Sequence, residues 1–264
     1  MTKVGKHFCM GLAALALTFQ FLGPARAQDT LTLCFENTDV KPWRTVDAQG
    51  LNFELLRETG RRLNLKLDFQ ALPWKRCLAQ LQANEVQGVF AASFAPDRLE
   101  VGAYPGGRQA DASKRMHVDR YVLVRRKGQA VGWDGKAFTN LDGAIGSQLG
   151  YSIGAQLRGM GVTVDEGSQT ARALVQKLLA GRLAAAALGG SDAAGLMATD
   201  AQLAAQVEVL PVPLVEKPYF LMLSHAFVKA RPELANRIWA TLEEVRQSAA
   251  YRKLEKEAFE HGVR

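Results

Sequence analysis

Cysteine and histidine are scarce in this sequence, which contains three cysteines and four histidines in 264 residues. The spacing among His7, His117, His225 and His261 matches neither a metal site nor a catalytic triad. The sequence therefore contains no motif for catalysis by a bound metal or by a histidine-activated nucleophile. We expect neither a metal nor another cofactor.

Long apolar runs are lacking after residue 27, and so is any concentration of charge. No later stretch approaches the roughly 20 apolar residues that a membrane-spanning helix needs, so the rest of the chain is expected to be soluble. The formal net charge of +7 falls to about +4 when residues 1–27 are set aside. The basic residues are scattered, and the short run Arg125-Arg126-Lys127 is typical of a solvated strand end. Nucleic acid is therefore not an expected partner.

The N-terminal residues have the pattern of a secretory signal. Lys3 and Lys6 precede an apolar run from Phe8 to Leu22, and Ala25-Arg26-Ala27 is a small-x-small cleavage site. The run is shorter than a spanning helix, although an uncleaved anchor is the alternative. We predict that residues 1–27 are a signal peptide and that the mature protein is exported.

A β-α-β-α-β pattern occurs twice in the rest of the chain. Short β-prone runs cover residues 31–35, 65–69 and 86–91 in the first half, and 144–147, 162–164 and 184–188 in the second. Helical patterns separate these runs, as at 150–160 and 171–179. The alternation predicts an α/β fold with two lobes, each a mostly parallel sheet flanked by helices.

Two β-rich runs, Arg120 to Arg126 and Pro218 to Ser224, lie where the chain would cross between the lobes and predict a two-strand hinge. A last helix from Pro232 carries an apolar stripe that should pack on the first lobe. We predict lobe one at residues 28–119 and 217–264, and lobe two at residues 120–216.

Two cysteines, Cys34 and Cys77, remain after the signal. They fall in the first strand and the second helix of one β-α-β-α-β unit, and an exported protein meets an oxidising environment. We therefore predict a disulfide between them, with a pair of buried free thiols as the alternative.

Ligands bind beyond the carboxyl ends of the strands in open parallel sheets. This rule selects loops 36–50, 70–74 and 92–98 in lobe one, and 148–152, 165–168 and 189–192 in lobe two. These loops should face each other across a cleft that suits a small polar solute, and solute binding should close the hinge.

Several motifs follow one another in an order typical of a single family. They are Pro42-Trp43, Gly50-Leu51-Asn52-Phe53-Glu54-Leu55-Leu56, Pro73-Trp74, Ala95-Pro96-Asp97-Arg98, Tyr104-Pro105, Gly146-Ser147-Gln148-Leu149-Gly150-Tyr151-Ser152 and Gly181-Arg182. Through them, nearly the whole mature chain resembles the bacterial extracellular solute-binding proteins of family 3, the receptors of polar amino acid ABC transporters. The resemblance implies a type II periplasmic binding protein fold and a periplasmic monomer. It also implies that an amino acid or related carboxylate is delivered to a membrane permease or presented to a sensor.

The resemblance also implies a role for Arg98. In this family the corresponding arginine takes the ligand carboxylate, helped by the amides of the Gly150-Tyr151-Ser152 turn. A guanidinium matches a carboxylate bidentately, and a helix start offers free N–H groups. A surface ion pair of Arg98 with Asp97 or Glu100 is the alternative.

Aromatic side chains in these loops suit the flat or aliphatic part of a solute. Trp43, Trp74 and Tyr151 are the candidates, although Trp74 also has the helical spacing of a core residue. The candidate ligand-binding residues are Trp43, Trp74, Ser93, Arg98, Gly150, Tyr151, Ser152, Ser191 and Asp192.

One departure from the family concerns the ammonium group of the ligand. Amino acid receptors usually hold it with an aspartate at the end of the last strand of lobe two, where this chain has Gly189. Asp192, Glu36 or Glu54 are possible substitutes, and the alternative for each is a helix cap or a solvated charge.

An enzyme is the competing prediction, because the resemblance also covers periplasmic cyclohexadienyl dehydratases. Such a reaction needs a carboxylic acid poised near neutral pH in the cleft. Glu54, Glu166 and Asp192 are the candidates, and none lies in a catalytic motif, so we expect binding without catalysis. A membrane-tethered sensor module is the third alternative, and a free binding protein is favoured over it.

Overall fold

The computed structural model describes residues 1–2 and 28–261, so the predicted signal peptide lies outside the described residues except for its first two. The strands are β1 (Thr30–Glu36), β2 (Lys66–Leu72), β3 (Gly88–Ser93), β4 (His117–Arg126), β5 (Gly132–Trp133), β6 (Phe138–Thr139), β7 (Ile145–Gln148), β8 (Val164–Ser168), β9 (Ala185–Gly189), β10 (Val207–Val209) and β11 (Val215–Leu223). The helices are α1 (Leu51–Leu63), α2 (Trp74–Gln82), α3 (Ser152–Gly159), α4 (Ala171–Leu179), α5 (Gly190–Thr199), α6 (Ala201–Gln206), α7 (His225–Ala230), α8 (Pro232–Gln247) and α9 (Ala249–His261). Two 3-10 helices cover Pro96–Glu100 and Ala112–Lys114. Within the described ranges, none of the helices is both long and apolar enough to cross a bilayer.

The strands of both predicted halves join into one mixed sheet. Its order is β2-β1-β3-β11-β4-β9-β7-β8, and β10 pairs with β4. β1 is parallel to β2 and β3, and β7 is parallel to β8 and β9. β11 and β4 lie between these groups and are antiparallel to each other and to their neighbours β3 and β9. The predicted α/β fold, two mostly parallel units joined by two strands, is confirmed.

We call the unit built on β1, β2 and β3 lobe one and the unit built on β7, β8 and β9 lobe two. Each lobe includes the loops that follow its strands. β4 and β11 are the hinge strands. The residue boundaries that the sequence suggests for the two lobes stay a prediction.

The core of lobe one lies on both faces of its sheet, because side chains alternate along a strand. Leu31, Leu33 and Phe35 of β1 lie in one apolar cluster with residues of α1 and α8. Cys34 lies on the opposite face in a second cluster with residues of α2 and β3. The apolar stripe of α8 joins the first cluster, so the end of the chain packs on lobe one as predicted.

Lobe two is built in the same way. Val122 and Val124 of β4 pack with residues of α4 and α5, while Tyr121 and Leu123 pack with residues of α3 on the other face. The hinge strand β4 therefore contributes to the core of lobe two as well as connecting it to lobe one.

Two elements of lobe two begin later than predicted. α3 begins at Ser152 and not at Gly150, because Gly150 has a φ of 76° that an α-helix does not accommodate. The strand expected at 162–164 runs over Val164–Ser168 as β8. The β5–β6 hairpin, β10, α5, α6, α7 and α9 are additional to the prediction. Their sequence patterns are short or, in α9, dominated by charged residues.

The predicted disulfide between Cys34 and Cys77 is present. The two Cα atoms are 5.5 Å apart, and both residues are fully buried. The bond ties β1 to α2 within lobe one.

Removal of this disulfide should destabilise the protein. The bond closes a loop between residues 43 positions apart, which restricts the unfolded chain by about 4 kcal/mol in the chain-entropy model. We expect the double variant Cys34→Ala, Cys77→Ala to lose up to that much free energy of unfolding in urea titrations. Thiol counting on the unreduced, unfolded mature protein is the direct check, and two free thiols would contradict the disulfide.

Candidate functional site

A small cavity lies where the loops of both lobes meet the hinge strands. Its volume is about 30 Å³, which has room for about two water molecules. Its lining comes from lobe one, lobe two and both hinge strands. Pockets for small molecules are typically at least about ten times larger, so an amino acid can enter only when the lobes move apart.

Indole groups and a guanidinium tie the lobes together across this cavity. Trp43 Nε1 donates to Ser191 Oγ (3.0 Å), and Trp74 Nε1 donates to the Gly150 carbonyl oxygen (3.2 Å). Arg98 Nη2 donates to the same carbonyl oxygen (2.8 Å). Each bond joins a side chain of lobe one to lobe two, so the structure is a closed state.

Two further contacts cross the cleft. The Tyr151 hydroxyl donates to Glu36 Oε2 (2.6 Å), and Ser93 Oγ lies 2.7 Å from Ser152 Oγ. The structure thus brings all the predicted candidates to one place: Trp43, Trp74, Ser93, Arg98, Gly150, Tyr151, Ser152, Ser191 and Asp192. Their roles toward a ligand stay predictions.

Arg98 is buried, which excludes the alternative of a surface ion pair. It is only 5% exposed, and its Nη1 donates to the carbonyl oxygen (2.8 Å) and the hydroxyl (3.3 Å) of Ser93. Its guanidinium carbon lies 5.2 Å from the centre of the Trp74 ring. All the oxygens that it contacts, including that of Gly150, are neutral, so its positive charge is held by dipoles and an aromatic face.

The turn before α3 differs in one respect from the expectation. The Tyr151 amide already donates to the Gln148 carbonyl oxygen (3.1 Å). Of the three amides predicted to hold a carboxylate, that of Tyr151 is therefore used within the turn. A ligand would have to use those of Gly150 and Ser152.

Both tryptophans are buried in this closed state. Trp74 lines the cavity and also packs with the core residues Cys77, Leu78 and Leu81, so it is a core residue, and its contact with a ligand stays a prediction. Trp43 stacks on His117 with ring centres 4.1 Å apart, and His117 stacks in turn on Tyr219 at 4.9 Å. These three rings form a continuous aromatic wall.

His117 in this wall is held in its neutral form near neutral pH. Burial, assisted by the positive charge of Arg44, lowers the pKa of His117 to about 3. Its Nδ1 lies 3.0 Å from Asn52 Oδ1. In the described part of the chain, no group of three or more His, Cys, Asp or Glu side chains could hold a metal ion.

Two aspartates provide the acidic side of the cavity. Burial raises the pKa of Asp192 to about 7, with Arg44 opposing the rise and Glu36 and Asp119 adding to it. Burial also raises the pKa of Asp119, whose Oδ2 accepts from the Ser191 amide at 3.3 Å. Near neutral pH a positive charge in the cavity would favour the ionised form of both.

The Asp192 carboxylate lies beside Gly189, where the family usually has an aspartate. A Cβ atom added to Gly189 would be 2.6 Å from Asp192 Oδ2 and 3.8 Å from Asp119 Oδ2. The space that an aspartate at 189 would use is thus already taken by a carboxylate from three residues further along the chain.

The other proposed acids do not reach the cavity with a free charge. Glu36 lines it, but its Oε2 accepts from Arg44 Nη2 (2.5 Å) as well as from Tyr151. Glu54 is on the exposed side of α1 and pairs with Arg57, so its assignment as an amine anchor or general acid is wrong. Glu166 pairs with Arg158, and residues 165–168, predicted as a loop, all lie within β8 and do not line the cavity.

The floor of the cleft was missed by the sequence analysis. His117, Asp119 and Tyr121 alternate along β4, and they lie directly opposite Tyr219, Lys217 and Val215 of β11. Residues two apart on a strand share a face, so both hinge strands present this set on the same side. The alternation His117-x-Asp119-x-Tyr121 is the signal that could have identified them.

Arg44, which also lines the cavity, was missed as well. It follows Trp43 in a loop, and no sequence pattern marked it.

A family model described as bacterial extracellular solute-binding proteins, family 3, matches residues 34–261. No curated protein matches the sequence.

Solved structures with similar folds include binding proteins and a sensor. The arginine-, lysine-, histidine-binding protein ArtJ from the thermophilic bacterium Geobacillus stearothermophilus is 16% identical with a TM-score of 0.68, covering 88% of this chain and 95% of ArtJ. A histidine kinase sensor domain with similarity to periplasmic binding proteins is 14% identical with a TM-score of 0.70, covering 88% of this chain and 96% of the domain. AncCDT-1, an ancestral amino acid-binding protein and precursor of cyclohexadienyl dehydratase, is 20% identical with a TM-score of 0.64, covering 87% and 95%. At these identities the likeness concerns the fold, which is the predicted type II periplasmic binding protein fold.

Proposed function

The chain belongs to the bacterial extracellular solute-binding proteins of family 3, and we propose that it binds an amino acid or related zwitterion in the periplasm for delivery to an ABC transporter. The observation that carries this proposal is the placement of opposite charges around one cavity. Arg98 of lobe one and Asp192 of lobe two both line it. A zwitterion would match both charges and would bridge the lobes.

Arg98 is the proposed site for the carboxylate. Its guanidinium is buried and contacts neutral oxygens. One of these is the Gly150 carbonyl oxygen in the turn before α3. A carboxylate replacing those acceptors would form charge-assisted bonds, which are about twice as strong as neutral ones.

Asp192 is the proposed site for the ammonium group, with Asp119 beside it. Its pKa of about 7 reflects a desolvated carboxylate whose charge is only partly compensated. An ammonium group would supply the missing compensation.

Delivery to a membrane permease is the proposed role because the chain resembles the family 3 receptors of polar amino acid ABC transporters. A free binding protein that presents its solute to a sensor is the variant, and the similar fold of a histidine kinase sensor domain supports its inclusion. In either case the solute enters an open form, and closure brings Trp43, Trp74 and Tyr151, which bond across the cleft in the closed state, against the solute.

A second candidate is an acid-catalysed dehydratase. Asp192 favours it, because a carboxylic acid with a pKa of about 7 inside a cleft can donate a proton near neutral pH. We expect no aromatic product when the protein is incubated with a cyclohexadienyl substrate and followed by absorbance. Product formed by wild type and abolished in Asp192→Asn would establish the dehydratase in place of a pure binding function.

Arg98→Ala should remove most of the affinity. Truncating one partner of a desolvated charge pair costs about 2–5 kcal/mol, roughly a 30- to 5,000-fold loss. A thermal-shift screen of amino acids, organic acids and polyamines selects the solute, and calorimetric titration then measures both proteins. Arg61→Ala, an exposed arginine paired with Glu58, is the matched control and should bind as wild type does. Binding by a folded Arg98→Ala protein within about threefold of wild type would reject Arg98 as the anchor.

The ammonium site can be tested by moving its carboxylate. Asp192→Ala should weaken a zwitterionic solute by roughly 30-fold or more. Gly189 has φ −57° and ψ 140°, a conformation open to any residue. Adding Gly189→Asp to Asp192→Ala should therefore restore most of the affinity, because the new carboxylate enters the vacated space.

The single variant Gly189→Asp is the control for this exchange. It should not improve binding, because it would place a second carboxylate against Asp192. Wild-type affinity in Asp192→Ala, measured by the same calorimetric titration, would contradict the assignment.

A further inference from the structure

Lys217 is a cation at the floor of the cleft that the sequence analysis did not select. It lies half-buried on the hinge strand β11, directly opposite Asp119 of β4. Its Nζ donates to Ser152 Oγ at 3.1 Å. Across the described residues, none of the ion pairs within 4.0 Å involves Lys217, so a hydroxyl holds its ammonium group in place of a carboxylate.

Lys217 and Arg98 are joined through two hydroxyl groups. Lys217 contacts Ser152 Oγ, Ser152 Oγ lies 2.7 Å from Ser93 Oγ, and Ser93 Oγ accepts from Arg98 Nη1 at 3.3 Å. The four groups come from a hinge strand, lobe two and lobe one. Closure of the lobes therefore assembles two cations and two hydroxyls at one point.

The positive charges of Lys217 and Arg98 repel each other, and an anion bound between them would offset that repulsion by attracting both. Burial lowers the pKa of Lys217 to about 8, and the positive charge of Arg98 contributes to the decrease. The other charged or titratable groups that face Lys217 are Asp97, which opposes the decrease, Asp119 across the ladder, and Tyr121, whose ring centre is 5.9 Å from Nζ. Asp97 is exposed and so compensates the two cations only weakly.

We infer that Lys217 is a second anion-binding residue of the cleft, and that Lys217, Arg98 and the hydroxyls of Ser93 and Ser152 together take one oxyanion of the solute. This inference rests on the proposed function and deepens it, because it assigns the carboxylate end of the solute two cations instead of one. An oxyanion has several acceptor oxygens, so it can accept from an ammonium group, a guanidinium and hydroxyls at once.

The pH dependence follows from the titration of Lys217. A bound oxyanion stabilises the charged ammonium, so affinity is full below the pKa of free Lys217 and is lost as pH rises through it. Between pH 8 and 9.5 a group with a pKa of about 8 goes from half to almost fully deprotonated, which predicts roughly a tenfold loss of affinity. Asp192, with a pKa of about 7, is already largely ionised at pH 8 and adds little in this range.

Inorganic sulfate is the probe, titrated against the whole mature protein at constant ionic strength and followed by tryptophan fluorescence and calorimetry. We expect wild type to bind sulfate at millimolar concentration and Lys217→Met to bind it about tenfold more weakly or worse. Lys217→Arg keeps the charge and should retain affinity within about threefold while losing the pH dependence. Lys66→Met, which removes an exposed lysine of β2 paired with Asp68, is the charge-matched control and should behave as wild type.

The outcomes separate this inference from the proposed function. No sulfate binding by wild type, equal binding by Lys217→Met, or a decline with pH that persists in Lys217→Arg would overturn the role of Lys217. Sulfate results as expected, together with no response to any amino acid in the thermal-shift screen, would leave the anion site standing and remove the amino acid function.

Discussion

The antiparallel pairing of β4 with β11 is the constraint on which the cleft depends. Its register places His117 opposite Tyr219 and Asp119 opposite Lys217, so that aromatic and charged side chains share one face of the ladder. A shift of one residue would turn one strand's side chains to the opposite face. The same two strands pair with β3 and β9, which attaches each lobe through backbone hydrogen bonds. The floor of the site and the connection between the lobes are thus a single structure.

The charges around the closed cavity are compensated unequally. Glu36 and Arg44 neutralise each other, and Tyr151 adds a further bond to the same carboxylate oxygen. Arg98 and Lys217 are held by carbonyl and hydroxyl oxygens, and burial raises the pKa of Asp192 to about 7, because its charge is desolvated. Burying a charge without a counter-charge is costly. A solute that carries both signs relieves this cost on both sides of the cavity, which gives it an advantage over a neutral solute of the same size.

Local patterns were sufficient to predict the two β-α-β-α-β units, the disulfide partners and most of the loops at the cavity. Alternation and the rule on carboxyl ends act over short stretches of chain, so they can be read from sequence. Asp119, Lys217 and Tyr219 were missed because they lie within strands, and their common face depends on the register between two segments far apart in the chain. The prediction that Glu54 or Glu166 acts in the cleft was wrong, because sequence position does not show which way a carboxylate faces. Both side chains pair with an arginine away from the cavity.

The two lobes differ in how their cores are distributed along the chain. The apolar clusters of lobe two come from residues between Tyr121 and Val215, whereas the apolar cluster of lobe one contains Leu33 near the start and Ile238 and Leu242 near the end. A chain that is made or exported from its N-terminus can therefore complete lobe two while the core of lobe one still lacks α8. Cys34 and Cys77 emerge early, and their bond can hold β1 against α2 during that interval. The disulfide then keeps β1 and α2 together in the unfinished lobe until α8 has been made.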